Sequence, residues 1–151
     1  MARNVIEIDA PVDVVFDVLL DPQQYPRWVA GAKRIRDVDD TWPAPGSRFH
    51  HAVGAGPAEV RDSTKVVEID PPRRLVLEAR FRPPGVACVE MELEPLGPAR
   101  TRVTMLEHPL EAPGPLGSPV VQLLVDPLIS LRNWWSLQRL KRIAEARVAA
   151  R

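Results

Sequence analysis

The chain has 151 residues, 45% of them hydrophobic and 26% charged, with 20 Lys plus Arg balanced by 20 Asp plus Glu. That length and composition suit one globular domain over residues 1–151 and argue against disorder. Zero net charge argues against nucleic acid, which needs a clustered basic face, and weakens the case for an anionic membrane surface.

The lone Cys88 excludes an internal disulfide. Residues 1–10 carry Arg3, Glu7 and Asp9 and lack the apolar run of a secretory signal. The apolar stretch near Val120 is cut by Gln122, Asp126 and Pro127, too short to span a membrane. A cytoplasmic protein is the expectation. The 17 prolines fall between periodic segments and read as loop punctuation.

In chain order, Arg3 to Asp9 alternates Ile6 and Ile8 with charge and predicts a strand. Ala10-Pro11 opens a helix whose Val14, Val15, Val18 and Leu19 make one buried stripe, ending near Asp21-Pro22. Gln23 to Val29 predicts a second short helix carrying Tyr25 and Trp28, stopped by Gly31. The period then switches to two. Strands are predicted over Lys33–Asp39, Ser47–Val53, Glu59–Asp70, Arg74–Arg82, Val86–Glu94 and about Arg100–His108. The turns between them carry Pro45-Gly46, Pro71-Pro72 and Gly97-Pro98. Alternation assigns each strand one dry and one wet face. On the wet face, Arg80 and Arg82 are expected to meet Glu90 and Glu92, as solvated pairs worth about 0–1 kcal/mol each.

Ser118-Pro119 and Asp126-Pro127 both look like a helix N-cap followed by a first-turn proline. They predict a short helix over Pro119–Val125, a break or kink, then a long helix from about Pro127 to Ala149. Its buried stripe drifts from Leu124, Leu128, Leu131 and Trp135 to Trp134, Leu137, Leu140, Ala144 and Val148. A strand, two short helices, six strands and a long helix make an α+β fold, an antiparallel sheet of about seven strands with its helices on one side. The last helix is the element long enough to cover that sheet.

This order and its local motifs resemble the SRPBCC or START-like superfamily, which includes the birch-pollen allergen and bacterial polyketide cyclase/dehydrase-type proteins. The resemblance rests on Ile8-Asp9-Ala10-Pro11 with Val14–Val18, Asp21-Pro22 to Trp28, Pro45-Gly46-Ser47-Arg48-Phe49, Val67 to Leu75, Arg132-Asn133 and Leu137 to Lys141. It covers nearly the whole chain. It implies a helix-grip fold, a curved sheet wrapped on the C-terminal helix, with a cavity between them. That fold hosts carriers, receptors and cyclases alike, so function must come from the site.

No phosphate loop is present: Val53-Gly54-Ala55-Gly56-Pro57 lacks the Lys-Ser/Thr ending. His50 and His51 point to opposite faces of one strand, His108 is remote, and no metal or cofactor is expected. Cys88 falls on a wet face with no evident activating base. The inward residues are Phe49, His51, Val53, Leu77, Ala79, Val89, Met91, Val103 and Met105. Trp28 closes one end, while Leu131, Trp134 and Trp135 supply the helix side. These either fill a core or line a ligand pocket. The two inward polar residues, His51 and Glu107, with Tyr25, read either as an acid/base or anchoring set or as structural groups. In the structural reading, Glu107 pairs with Arg132 and His51 bonds a backbone carbonyl. The loop Pro109–Pro119 reads as a lid or as ordinary surface. Trp42, in a turn, is expected to stand exposed as a possible self-association point.

The favoured function is binding or transport of a small hydrophobic molecule (lipid, polyketide or aromatic) by a monomer or homodimer. The alternatives are a cyclase/dehydratase-like enzyme using His51 and Glu107, and an interaction module with a collapsed cavity.

Overall fold

A computed structural model describes residues 1–54, 57–81, 85–111 and 114–151. Its strands are β1 (Ala2–Ile8), β2 (Ala32–Val38), β3 (Arg48–Val53), β4 (Val60–Asp70), β5 (Arg74–Phe81), β6 (Gly85–Gly97) and β7 (Arg100–Glu111). They form one antiparallel sheet in the order β1-β7-β6-β5-β4-β3-β2. Between β1 and β2 come α1 (Val12–Leu20), a 3-10 turn at Pro22–Gln24 and α2 (Tyr25–Trp28). A second 3-10 turn at Gly114–Gly117 leads into α3 (Pro119–Ala149). This is the α+β helix-grip arrangement the sequence predicts.

Period-two patterning sets the dry face. Met91 pairs with Met105, Leu93 with Val103, and Val103 with Ile6, and residues directly opposite one another share a face. All five are buried. α1 buries the expected Val14, Val15, Val18 and Leu19, and Phe16 besides. The extra residue is explained by its two neighbours, since α1 packs on α3 and on β6 and β7 together. Gly31, at φ +93°, ends α2 and turns the chain into β2 in a conformation that a Cβ would strain.

Several expectations are corrected. α3 does not break at Asp126-Pro127; it runs through Pro127 as one helix of 31 residues. A proline in a helix removes one N–H and crowds the carbonyl four residues back. Here that residue is Leu123, on an exposed turn where water can serve its carbonyl. The Met1 ammonium also meets Asp126 Oδ2 at 2.7 Å. The buried stripe of α3 is confined to its second half, at Asn133, Ser136, Leu137, Leu140 and Ala144. Leu124, Leu128, Leu131, Trp134 and Trp135 are exposed.

Trp42 is not a free surface aromatic: its indole N–H donates to the Leu20 carbonyl at 2.8 Å and its ring packs edge-on to Phe49. On the outer face Arg74, rather than Arg80, meets Glu90 and Glu92, at 3.5 and 2.9 Å. The β5–β6 register sets this, placing Arg74 opposite Glu92 and Arg80 opposite Val86. Arg82 lies outside the described residues, as do residues 55–56 of the glycine-containing segment. Cys88 is buried, not wet, and sits directly opposite His108 in the ladder. β7 extends through Pro109 to Glu111, so the segment expected to loop begins later. Pro109 falls at a register irregularity, where its missing N–H costs little.

Candidate functional site

The concave face can be followed row by row. Phe49 on β3 is opposite Thr64 on β4, Thr64 opposite Ala79 on β5, Ala79 opposite Ala87 on β6, and Ala87 opposite Pro109 on β7. The next row runs Val66, Leu77, Val89, Glu107 and Ala2. Large apolar side chains fill the lower rows, where Leu77, Val89, Met91, Val103 and Met105 pack with α1, α3 and Trp28 in one core cluster. Two alanines abreast on β5 and β6 leave the row above thin, and Val53, Ala79 and Ala87 are only half-buried.

A polar chain lies beside the alanines. The Tyr25 hydroxyl lies near Thr64, whose side chain favours the phenolate against the larger effect of burial. Thr64 Oγ1 is 3.0 Å from His51 Nε2. The Tyr25 ring stacks edge-on to Phe49 at 4.7 Å and lies tilted against His51 at 5.3 Å. Burial, reinforced by the Arg36 and His50 charges, pushes the His51 pKa down to about 4, so the imidazole is neutral at neutral pH. Its Nδ1 is shut off from solvent without a protein partner. The backbone carbonyl of His51 accepts from Arg36 Nε at 3.3 Å, which holds that cation close enough to disfavour a charged imidazole. Burial raises the Tyr25 pKa, so the phenol keeps its proton and can donate. Thr64 is the member the sequence reading missed. Its signal was register alone: a threonine paired opposite Phe49 must share the dry face.

Glu107 makes the structural pair. Arg132 Nη2 on α3 donates to its two oxygens at 2.7 and 2.8 Å, and Asn133 Nδ2 adds a third bond at 3.1 Å. Glu107 is buried while Arg132 is half in solvent. Arg132 thus ties β7 to α3, as one of the two sequence readings had it. Its Nε and Nη1 make no hydrogen bond among the described residues, so they remain available to an oxygen acceptor.

Arg132 also lines an open cleft of about 430 Å³ with Ala30, Leu128, Leu131, Trp135 and Arg139. The cleft runs between α3 and the turn after α2, where the Ala30 N–H donates to Ser136 Oγ at 3.0 Å. Leu131 and Trp135, expected on the helix side of a cavity, are on this cleft. Trp134 is half-exposed and stacks edge-on to Trp135, away from Phe49 and Met91 in the closed core.

Cys88 is a poor nucleophile. Burial, then the Glu90 and Glu78 charges, raise its thiol pKa. His50, on the outer face, lies 3.6 Å from Asp39.

Comparison with known proteins agrees with the fold. The aromatase/cyclase Zhui from Streptomyces sp. R1128 superposes with a TM-score of 0.76 at 17% identity, covering 97% of this chain and 94% of that one. A START superfamily protein from Mycobacterium smegmatis gives 0.71 at 16% identity, covering 96% and 97%. The di-domain ARO/CYC BexL of the BE-7585A biosynthetic pathway gives 0.75 at 21% identity. Against BexL, 95% of this chain matches 46% of that one, so this chain spans about half of the two-domain protein. At such identities the likeness establishes the fold. No curated protein matches the chain. The sequence does match one family over residues 2–145, nearly its whole length, and so this chain belongs to the family of polyketide cyclase / dehydrase and lipid transport proteins.

Proposed function

We propose that this protein binds a small, largely apolar molecule bearing an oxygen acceptor at one end, as a carrier or receptor, in the cleft between α3 and the turn after α2. The observation that carries this reading is Arg132. One guanidinium nitrogen is spent on Glu107, the others are uncommitted, and the residue sits in the wall of an apolar cleft. An aromatic hydroxyketone or a fatty acid fits that chemistry. Its apolar body would supply about 25 cal/mol for each Å² buried, and Arg132 would orient the oxygen. The family description, which names both polyketide chemistry and lipid transport, supports the same class of ligand.

The test is fluorescence titration with an apolar naphthalene dye, then displacement by a hydroxyanthraquinone or a fatty acid. Dye uptake should be saturable and should weaken by about tenfold in Leu131→Asp, which loses one apolar wall contact. No uptake by the wild type, or equal uptake by the variant, removes this reading.

A second reading, acid–base catalysis by the Tyr25–Thr64–His51 chain, draws on the neutral imidazole at its end. Against it, His51 Nδ1 is closed off and Nε2 is engaged by Thr64. Unchanged turnover of a poly-β-ketone substrate by His51→Ala would dispose of it.

A further inference from the structure

The first half of α3 leaves a continuous apolar face without a partner among the described residues. Val120, Leu124, Leu128, Leu131 and Trp135 follow one another at steps of four, four, three and four, which puts them on one side of the helix. Leu123 and Trp134 flank them. Val120, Leu123, Leu124 and Leu128 are 67–75% exposed, and the two indoles are about half-exposed. The same face continues, at steps of four and three, into Arg139 and Arg142, both exposed. Neither arginine makes an ion pair or hydrogen bond among the described residues.

We propose that this face docks on an anionic lipid bilayer. The order along the helix is aliphatic, then tryptophan, then arginine. A tilted helix lowers its aliphatic end among acyl chains, holds indoles at the headgroup level and sets guanidinium groups among phosphates in that same order. The acidic residue in the first half, Asp126, lies off this face and is neutralised by the Met1 ammonium. Charge complementarity is therefore local, and a net charge of zero for the whole chain conceals it. A second copy of the chain is the weaker occupant. It would offer Arg139 and Arg142 the same two arginines and no carboxylate from that face, whereas an anionic bilayer supplies phosphates. The proposal reaches beyond ligand binding and does not depend on what the cleft holds. Leu128, Leu131 and Trp135 belong to both surfaces, so a docked protein would open its cleft toward the bilayer.

Flotation with vesicles of phosphatidylcholine and phosphatidylglycerol in equal parts tests this, beside vesicles of phosphatidylcholine alone. The wild type should float with the anionic vesicles, less with the neutral ones, with a blue shift of tryptophan emission. Leu123→Asp/Leu124→Asp, at exposed positions off the cleft, should lower partitioning by roughly tenfold or more while leaving the circular dichroism and dye uptake of the wild type. Arg142→Glu should remove the preference for anionic lipid. The proposal is overturned if the wild type stays with the soluble fraction, floats equally with neutral vesicles, or floats equally after the double substitution. It is overturned too if sedimentation velocity shows a dimer that Leu124→Asp dissolves while no vesicle binds.

Discussion

Glu107 of β7 and Arg132 of α3 meet through a single guanidinium nitrogen, Nη2, at 2.7 and 2.8 Å. The carboxylate is buried and the cation is half in water, so the two ends of this bond do not carry equal risk. Removing the arginine strands a buried charge that Asn133 alone then serves. Removing the charge of the glutamate leaves an arginine that solvent can accept. We expect Arg132→Ala to cost about 1–3 kcal/mol by urea denaturation and Glu107→Gln less than half of that. Equal costs would place the pair on the surface in energetic terms.

His51 should make stability fall with acid. Its folded pKa, about 4, lies below the ordinary value of 6.5. Between those values the unfolded chain binds a proton that the native state refuses, so unfolding becomes easier as pH falls through this window and the effect levels off near pH 4. The expected change is about 3 kcal/mol across the window. His51→Gln should flatten that part of the stability–pH curve. Imidazole ring proton shifts that titrate near the ordinary value in the folded protein would contradict the assignment.

Cys88 should react slowly. With its pKa raised by burial and by Glu90 and Glu78, little thiolate exists at neutral pH. Iodoacetamide labelling of the native protein is expected to lag at least tenfold behind the urea-unfolded chain. Labelling at the unfolded rate would mean that the strand opens or that His108, across the ladder, draws off the proton.

The N-terminus of α3 depends on Ser118, whose Oγ accepts from the Val121 N–H at 3.2 Å. Ser118→Ala should cost about 1 kcal/mol. Because the apolar half of α3 buries little, the loss should appear as faster amide exchange over residues 119–130 more than as a lower melting temperature.

The sequence made the sheet legible because alternation is a local signal and register follows from it. Glu107 fell on the dry face by counting, and its partner Arg132 was within reach of the only helix long enough to lie there. What stayed hidden depended on non-local facts. Thr64 reads as an ordinary strand threonine until β3 is set beside β4. Cys88 looked wet because alternation says nothing of neighbours that cover an outer face. The α3 stripe misled for a different reason. Helical spacing of apolar residues marks a face that seeks cover, and in the first half of α3 none of the described residues provides it. Pro127 misled because proline's cost in a helix depends on whether the freed carbonyl meets water, which composition does not reveal.

The position of β1 has a consequence for how the chain assembles. β2 to β7 are joined in sequence order by successive hairpins, but β1 pairs with β7, with Ala2 opposite Glu107. The first strand made must wait for the last before it has a ladder to join. Contacts of such separation close late and slow folding. In pulse-labelling exchange, amides of β5 and β6 should gain protection before those of β1. During synthesis β1 stays without its partner until β7 has been made, longer than any other strand of the sheet, so among the strands it is the one most exposed to wrong partners.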